Sequence, residues 1–245
     1  VNKAALITGG SRGLGLAIAH ELQKRGFDLL LTARNVKELE KAEKSLTGDA
    51  RVEIAAGDIT KSEDVNAVAK VCRDKFGQLD LLVNNAGIFV SGSLAEFDEA
   101  KWNGIIGVSL TGSYLMTRAV LDLLKASTGQ IIFINSVGGK IGLKNLSGYS
   151  AAKHGLRGFA DSLRLELKPE GIRVTSIFPH GMNTTGQEIS SDEDRFKMLD
   201  PEDVAHMVGE VASSPIHAQI PEIVIYPRST EIKKAEKVSD ILGGK

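Results

Sequence analysis

Residues 4–15 read Ala-Ala-Leu-Ile-Thr-Gly-Gly-Ser-Arg-Gly-Leu-Gly. A short apolar run at 4–7 enters a glycine-rich turn. An amphipathic helical pattern leaves it, with Leu14, Ala17, Ile18, Leu22 and Phe27 on the buried side. In the order strand, glycine turn, helix, the missing side chains let backbone approach a diphosphate. The helix start then supplies N–H groups and a partial positive charge. A tight β-α turn that merely needs small residues would look the same in isolation, because the spacing Gly9, Gly13, Gly15 is not that of the usual dinucleotide fingerprint.

Outward from the turn, strand and helix alternate. Apolar runs at 28–32, 52–56, 80–83, 131–134, 172–178 and 222–226 read as strands, which with 4–7 makes seven. Helical periodicity fills 36–46, 62–76 with Ser62 as its cap, 98–125, 149–167 and a stretch opened by Pro201. The alternation predicts an α/β fold, a Rossmann-like doubly wound parallel sheet of seven strands with helices on both faces. Gly104, Gly107 and Gly112, costly inside an isolated helix, predict close packing or a kink in the 98–125 stretch. No linker or repeat interrupts the pattern. Residues 1–245 therefore read as one dinucleotide-binding and catalytic domain, with a substrate loop at 179–200 and a charged tail at 228–245. In that tail Ile232, Ala235, Val238 and Leu242 suit either a short docked helix or a frayed end.

Composition narrows the function classes. Lys plus Arg is 30 and Asp plus Glu is 31, a balance that favours neither nucleic acid nor an anionic membrane surface as partner. Cys72 is the sole cysteine and sits with Val68 and Val71 at helical spacing, so it reads as core rather than redox chemistry. The opening VNKAALITGG reads as a strand and not a leader, and no run approaches the roughly 18 apolar residues of a membrane span. A reducing, cytoplasmic setting is expected. The five histidines lack ligand spacing, so no metal site is expected.

The second strand ends in Thr32-Ala33-Arg34-Asn35. A dinucleotide fold usually places an acid here for the ribose 2′-hydroxyl of NAD. Ala33 stands in that place, Arg34 follows, and Arg12 lies in the glycine turn. Guanidinium groups bind a 2′-phosphate and an acid would repel it, so the pair favours NADP(H). Asn84 and Asn85, adjacent at a strand end, either cross-link neighbouring strands or line the cofactor cleft.

Residues 136–153 read SVGGKIGLKNLSGYSAAK. Ser136 ends the buried run 131–134, and Tyr149 and Lys153, four residues apart, share one helical face. A free phenol, with a pKa of about 10, is a poor acid-base group near neutral pH. A fixed ammonium beside it would lower that value, and a strand-end hydroxyl could orient a carbonyl toward it. These groups can move a proton to or from an alcohol. None carries a hydride, so a cofactor must.

Thr8-Gly-Gly-Ser-Arg-Gly-Leu-Gly15, Asp58, Asn84-Asn-Ala-Gly87, Ser136 and Tyr149-Ser-Ala-Ala-Lys153, in this order over the whole chain, resemble the short-chain dehydrogenase/reductase family. The resemblance implies strand order 3-2-1-4-5-6-7, with Tyr149 as the acid-base residue. It also implies that Lys153 lowers the Tyr149 pKa and holds the nicotinamide ribose, and that Ser136 orients the substrate carbonyl. It places Gly9, Ser11, Arg12, Gly13, Leu14 and Gly15 at the cofactor, with Arg34 at its 2′-phosphate and Asp58 and Ile59 toward the adenine. Asn85, Ala86, Gly87 and Pro179 line the cleft, and Thr184 meets the carboxamide. A homotetramer or homodimer is implied as well. Two positions depart from the family pattern. Ser109 stands where the family usually has Asn, and His180 follows Pro179 where Gly is usual. A solvated loop is the ordinary setting for such a histidine.

The expected activity is NADP(H)-dependent interconversion of a carbonyl and a secondary alcohol, on a 3-oxoacyl, 3-hydroxy acid or other small carbonyl substrate. The rival is a non-catalytic NADP(H)-binding redox sensor or regulator. A sugar-nucleotide epimerase or dehydratase would need a larger C-terminal region. Expected pocket walls are 91–97, 137–146 and the 180–200 loop, where Lys140 and Lys144 could attract an acidic substrate.

Overall fold

The computed structural model of the chain describes residues 2–182 and 198–228. Thr184, most of the expected substrate loop and the tail beyond residue 228 lie outside the described residues. In chain order the elements are β1 (Ala4–Thr8), α1 (Gly13–Lys24), β2 (Asp28–Ala33), α2 (Val36–Ser45), β3 (Val52–Ala56), α3 (Ser62–Phe76) and β4 (Leu81–Asn84). There follow α4 (Glu99–Ile106), α5 (Gly112–Ala119), α6 (Leu121–Ser127), β5 (Gln130–Ile134), α7 (Ser147–Glu166), β6 (Arg173–Pro179), α8 (Pro201–Ala212) and β7 (Glu222–Ile225). The strands form one parallel sheet in the order β3-β2-β1-β4-β5-β6-β7.

The near-continuous apolar strands explain the layering, since a parallel sheet is covered on both faces. Alternate residues of a strand face opposite sides. Ala5 and Ile7 of β1, with Ile132 and Ile134 of β5, pack toward α1, α2 and α8. Ala4 and Leu6, with Ile131 and Phe133, pack toward α3, α5, α6 and α7. Cys72 lies in that second core, and burial pushes its thiol up to about 12. The thiol is therefore protonated and inert at neutral pH.

Three local expectations need correction. The helix expected to run through Phe27 stops at Lys24. Arg25 and Gly26, the latter at φ 79°, turn the chain, and Phe27 is buried in the turn instead. Ser62 is the first helical residue of α3, and Lys61 is its cap without a side-chain hydrogen bond. Asp64 reaches back to accept from the Asp58 N–H at 2.8 Å, which closes the turn in the cap's place. The long helix expected at 98–125 is three pieces joined through a π-helical turn at Gly107–Thr111, and it bends by 57° at Val120 rather than at a glycine. The bend lets Val120, Leu123 and Leu124 all bury, and Leu123 O accepts from Leu79 N at 3.1 Å. The glycines serve close packing: a Cβ at Gly112 would lie 2.7 Å from Ile59 Cδ1. Among the described residues no single helix is long and apolar enough to cross a membrane, and no cluster of three metal-ligating side chains occurs.

The parallel strands diverge at their carboxyl ends between β1 and β4, where the chain reverses its direction of winding. A cleft opens at such a point. The turn after β1 borders it, with Gly9 at φ 66° and Gly13 at φ 52°. A Cβ on Gly15 would stand 2.1 Å from Gly9 O, so α1 begins in direct backbone contact with the turn. Gly15→Ala should therefore lower the urea unfolding free energy by about 1–3 kcal/mol, the usual cost of overpacking. Unchanged stability would mean that this contact does not constrain the turn.

Candidate active site

The described residues singled out in the sequence lie past the carboxyl ends of β1, β2, β3, β4, β5 and β6 and on the start of α7. Asn85 makes the cross-link between neighbouring strands. Its side-chain Nδ2 donates to Thr8 O at 2.9 Å and Gly9 O at 3.3 Å. The Asn85 and Ala86 backbone N–H groups both donate to the Thr8 hydroxyl at 3.0 Å. Asn85 thus cross-links β1 and β4. Asn84, fully buried, donates to Thr117 Oγ1 at 3.0 Å and ties β4 to α5.

Ser136 is extended, at φ −165°, and caps a short 3-10 turn at Val137–Gly139, its Oγ accepting from Gly138 N at 3.1 Å. That turn lies directly on α7. A Cβ at Gly139 would meet Lys153 O at 2.8 Å, and one at Gly138 would meet Tyr149 Cε1 at 3.1 Å. Asn135 organises the junction and was not singled out in the sequence. Its Oδ1 accepts from Ser136 N at 2.9 Å, its Nδ2 donates to Lys153 O at 3.2 Å, and its backbone N–H donates to Ile177 O at 2.7 Å. One buried amide therefore joins β5, β6, Ser136 and α7. The signal available was an Asn immediately after a four-residue apolar run, where a buried amide must have partners.

Burial pushes the Tyr149 phenol above its ordinary value, and hydrogen bonding with Ser136 pulls the other way. Lys153 is buried, which pushes its ammonium down to about 8. Its Nζ donates to Ile134 O at 2.9 Å and lies 5.9 Å from the centroid of the Tyr149 ring. The ammonium is held by a strand carbonyl over the ring, and loss of hydration governs both groups. Phe89 packs against Tyr149 with ring centroids 5.2 Å apart and planes at 72°.

Ser109 is buried in the π-helical turn, and its Oγ finds no hydrogen-bond partner among the described residues. Gly87 borders the same space: a Cβ there would lie 3.7 Å from both Lys153 Nζ and Ser109 Oγ. His180 is not the solvated loop residue expected. It is half-buried, its N–H donates to Ile225 O at 2.9 Å, and its ring lies 5.6 Å from that of Tyr226. Its Nδ1 is buried with no partner among the described residues. Pro179 ends β6 beside it, buried.

Around the glycine turn, Arg12 and Arg34 are both exposed. The Thr60 N–H and hydroxyl hold the Asp58 carboxyl below its ordinary value, with smaller contributions from Arg34 and Lys61. Ser11 Oγ donates to Glu38 Oε2 at 3.3 Å. Leu14 and Ile59 turn their side chains into the two cores. The proposed attraction of an acid by Lys140 loses its basis. Its Nζ is held by Glu222 at 2.6 Å and sits 4.6 Å above the Phe178 ring.

The sequence profile of the short chain dehydrogenase family matches residues 3–195. The chain is 35% identical over 229 residues to an uncharacterized oxidoreductase of Staphylococcus saprophyticus subsp. saprophyticus, covering 92% of this chain and 97% of that protein. The alcohol dehydrogenase of the archaeon Thermococcus sibiricus, complexed with 5-hydroxy-NADP, is similar at 28% identity and a TM-score of 0.87, with 95% of this chain and 99% of that one covered. A metagenomic short-chain oxidoreductase in complex with NADP is similar at 32% identity and a TM-score of 0.80, covering 92% and 96% of the two chains. Strand order, the cleft between β1 and β4, and these similarities agree: the chain belongs to the short-chain dehydrogenase family of oxidoreductases.

Proposed function

We propose that this chain is an NADP(H)-dependent oxidoreductase that interconverts a carbonyl and a secondary alcohol by a Ser136, Tyr149, Lys153 mechanism. The observation that carries the reading is the convergence of three groups: the Tyr149 ring lies against the turn that Ser136 caps, 3.1 Å from a Cβ on Gly138, and the Lys153 ammonium lies 5.9 Å from the ring centroid. A protein that only binds the nucleotide has no use for an acid-base group so arranged.

The residues present suit the cofactor. Nothing lies within 4 Å of the Cβ position on Gly13, so the turn is open to a large anion. Helix α1 has no side-chain cap, which leaves its first N–H groups to a ligand. No acid follows β2 at Ala33, and the Arg12 and Arg34 guanidiniums form no ion pair among the described residues, which favours a 2′-phosphate. Gly9, Ser11, Gly13 and the Leu14 and Gly15 backbone would hold the diphosphate, Asp58 and Ile59 the adenine side, and Asn85, Ala86, Gly87 and Pro179 the nicotinamide side. Thr184 belongs to the same proposal. When bound, the cofactor supplies or takes the hydride.

In reduction the Ser136 hydroxyl steadies the carbonyl oxygen. Tyr149 Oη gives its proton to that oxygen as negative charge develops there. The phenolate left behind is balanced by Lys153 and regains its proton from solvent. Burial favours the protonated phenol, which is the form that reduction uses. Oxidation needs the phenolate and gains at higher pH.

Two outcomes test this reading. Tyr149→Phe should lower kcat/KM for NADPH-dependent carbonyl reduction by about 10²–10⁴-fold. Its NADPH affinity, measured by cofactor fluorescence, should stay within about threefold, since only the proton donor is removed. Comparable turnover by the variant would refute the role of Tyr149. The second outcome concerns Lys153 and stability. Its folded pKa, about 8, lies below its ordinary 10.5, so the folded chain sheds the proton first as pH rises. The cost of burying the charge is full below pH 8 and fades toward pH 10.5. Lys153→Met should therefore be more stable than the parent at pH 7 by on the order of 2 kcal/mol, with that advantage shrinking above pH 8. A gap that stays constant or widens between pH 7 and pH 10 in urea melts would contradict the buried-charge account.

A further inference from the structure

The wall beside Tyr149 carries exposed apolar side chains, and its charged Lys140 and Glu96 are engaged. Of the nine exposed large hydrophobic side chains among the described residues, three lie on the stretches next to Tyr149: Phe89, Leu94 and Ile141. Single exposed apolar residues are ordinary, whereas a group of them around one cleft marks a ligand surface. Two of the segments are tied together. Gly92 N donates to Asn145 O at 2.9 Å, and a Cβ on Gly148 would lie 2.5 Å from Phe97 Cε1. The stretches 88–97 and 140–148 thus form one wall around Tyr149. Lys140 is held by Glu222, and Glu96 caps its own turn by accepting from Ser93 N at 3.1 Å. Lys144 is exposed on the same wall and, among the described residues, is the one cation there left to draw a carboxylate.

Phe89 stands out within this group. It is 65% exposed, yet its ring meets the Tyr149 ring edge to face at 5.2 Å. An exposed aromatic fixed against the acid-base residue presents its free surface to whatever Tyr149 protonates. We infer that Phe89 is a specificity-determining residue: its ring is the wall on which the non-reacting group of the carbonyl substrate lies. The geometry selects ketones whose side group is aryl or bulky alkyl over small ketones and over 3-oxo acids. This inference rests on the carbonyl reductase reading above and names the substrate class of that same site. Aromatic and apolar contacts of this kind discriminate by about 10–200-fold.

The test compares kcat/KM for NADPH-dependent reduction of an aryl methyl ketone, acetone and a short 3-oxo acid. The parent enzyme should prefer the aryl ketone to acetone by at least about tenfold, and Phe89→Ala should reduce that ratio about tenfold. Phe89→Leu, which keeps an apolar wall without the ring, should fall between. NADPH affinity and circular dichroism report whether either variant is disturbed elsewhere. An unchanged aryl-to-acetone ratio in Phe89→Ala overturns the proposal, and so does a parent preference for the 3-oxo acid, which would assign Lys144 the selecting role. No turnover of any ketone by the parent would instead refute the carbonyl reductase reading itself, a distinct result.

Discussion

Everything at the site depends on how the sheet closes its open end between β1 and β4. Parallel strands lose their ladder partners where they diverge, and buried N–H and C=O groups left there must be satisfied by something else. Thr8 and Asn85 supply the answer. The Thr8 hydroxyl accepts two backbone N–H groups of the β4 exit, and the Asn85 amide donates to two carbonyls of the β1 exit. This knot fixes the height of the glycine turn against the Asn84–Gly87 segment. It also explains why Gly9 and Gly15 tolerate no side chain. A Cβ at Gly9 would stand 3.1 Å from Asn85 Nδ2, and one at Gly15 would stand 2.7 Å from it. The turn that opens to an anion and the strand end that borders the chemistry are one hydrogen-bonded unit.

Asn135 has the corresponding role at β5. It joins β5 to β6 through its backbone and to α7 through its side chain, so the separation of Ser136 from Tyr149 is set by a buried amide rather than by a loop. Such fixed geometry matters because the groups it places are in opposition. Burial raises Tyr149 and lowers Lys153, and both shifts disfavour charge. Only the Ile134 carbonyl and the Ser136 hydroxyl work against that trend. The arrangement gives up stability at the lysine and keeps a proton on the phenol, a combination suited to handing that proton to an incipient alkoxide.

Much of this was legible in the sequence. The seven strands follow from apolar periodicity, and the order of the strands and the meeting of Ser136, Tyr149 and Lys153 follow from the family resemblance. What was not legible has physical causes. The bend at Val120 depends on α6 docking to the start of β4, a long-range contact that no local pattern records. Phe27 kept its burial but lost its helix, because Gly26 at positive φ ends the helix before the periodicity does. Lys140 read as a cation at the pocket wall, yet Glu222, 82 residues away, claims it. The effect of burial on Tyr149 and Lys153 is not legible either, because a spacing of four residues says nothing about depth.

The two departures from the family pattern bear on the same point. Ser109 Oγ and His180 Nδ1 are both buried without partners among the described residues, and both border the site. A buried polar atom without a partner costs about 1–3 kcal/mol. Ser109 sits in a π-helical turn, a form of helix that is rare except near functional sites. Gly87 keeps the space between Ser109 and Lys153 free of a side chain. Local rules are broken where a site needs groups that folding would discard. Ser109 lies beside Lys153 and His180 at the exit of β6, so both positions that depart from the family pattern border the cleft that holds Tyr149.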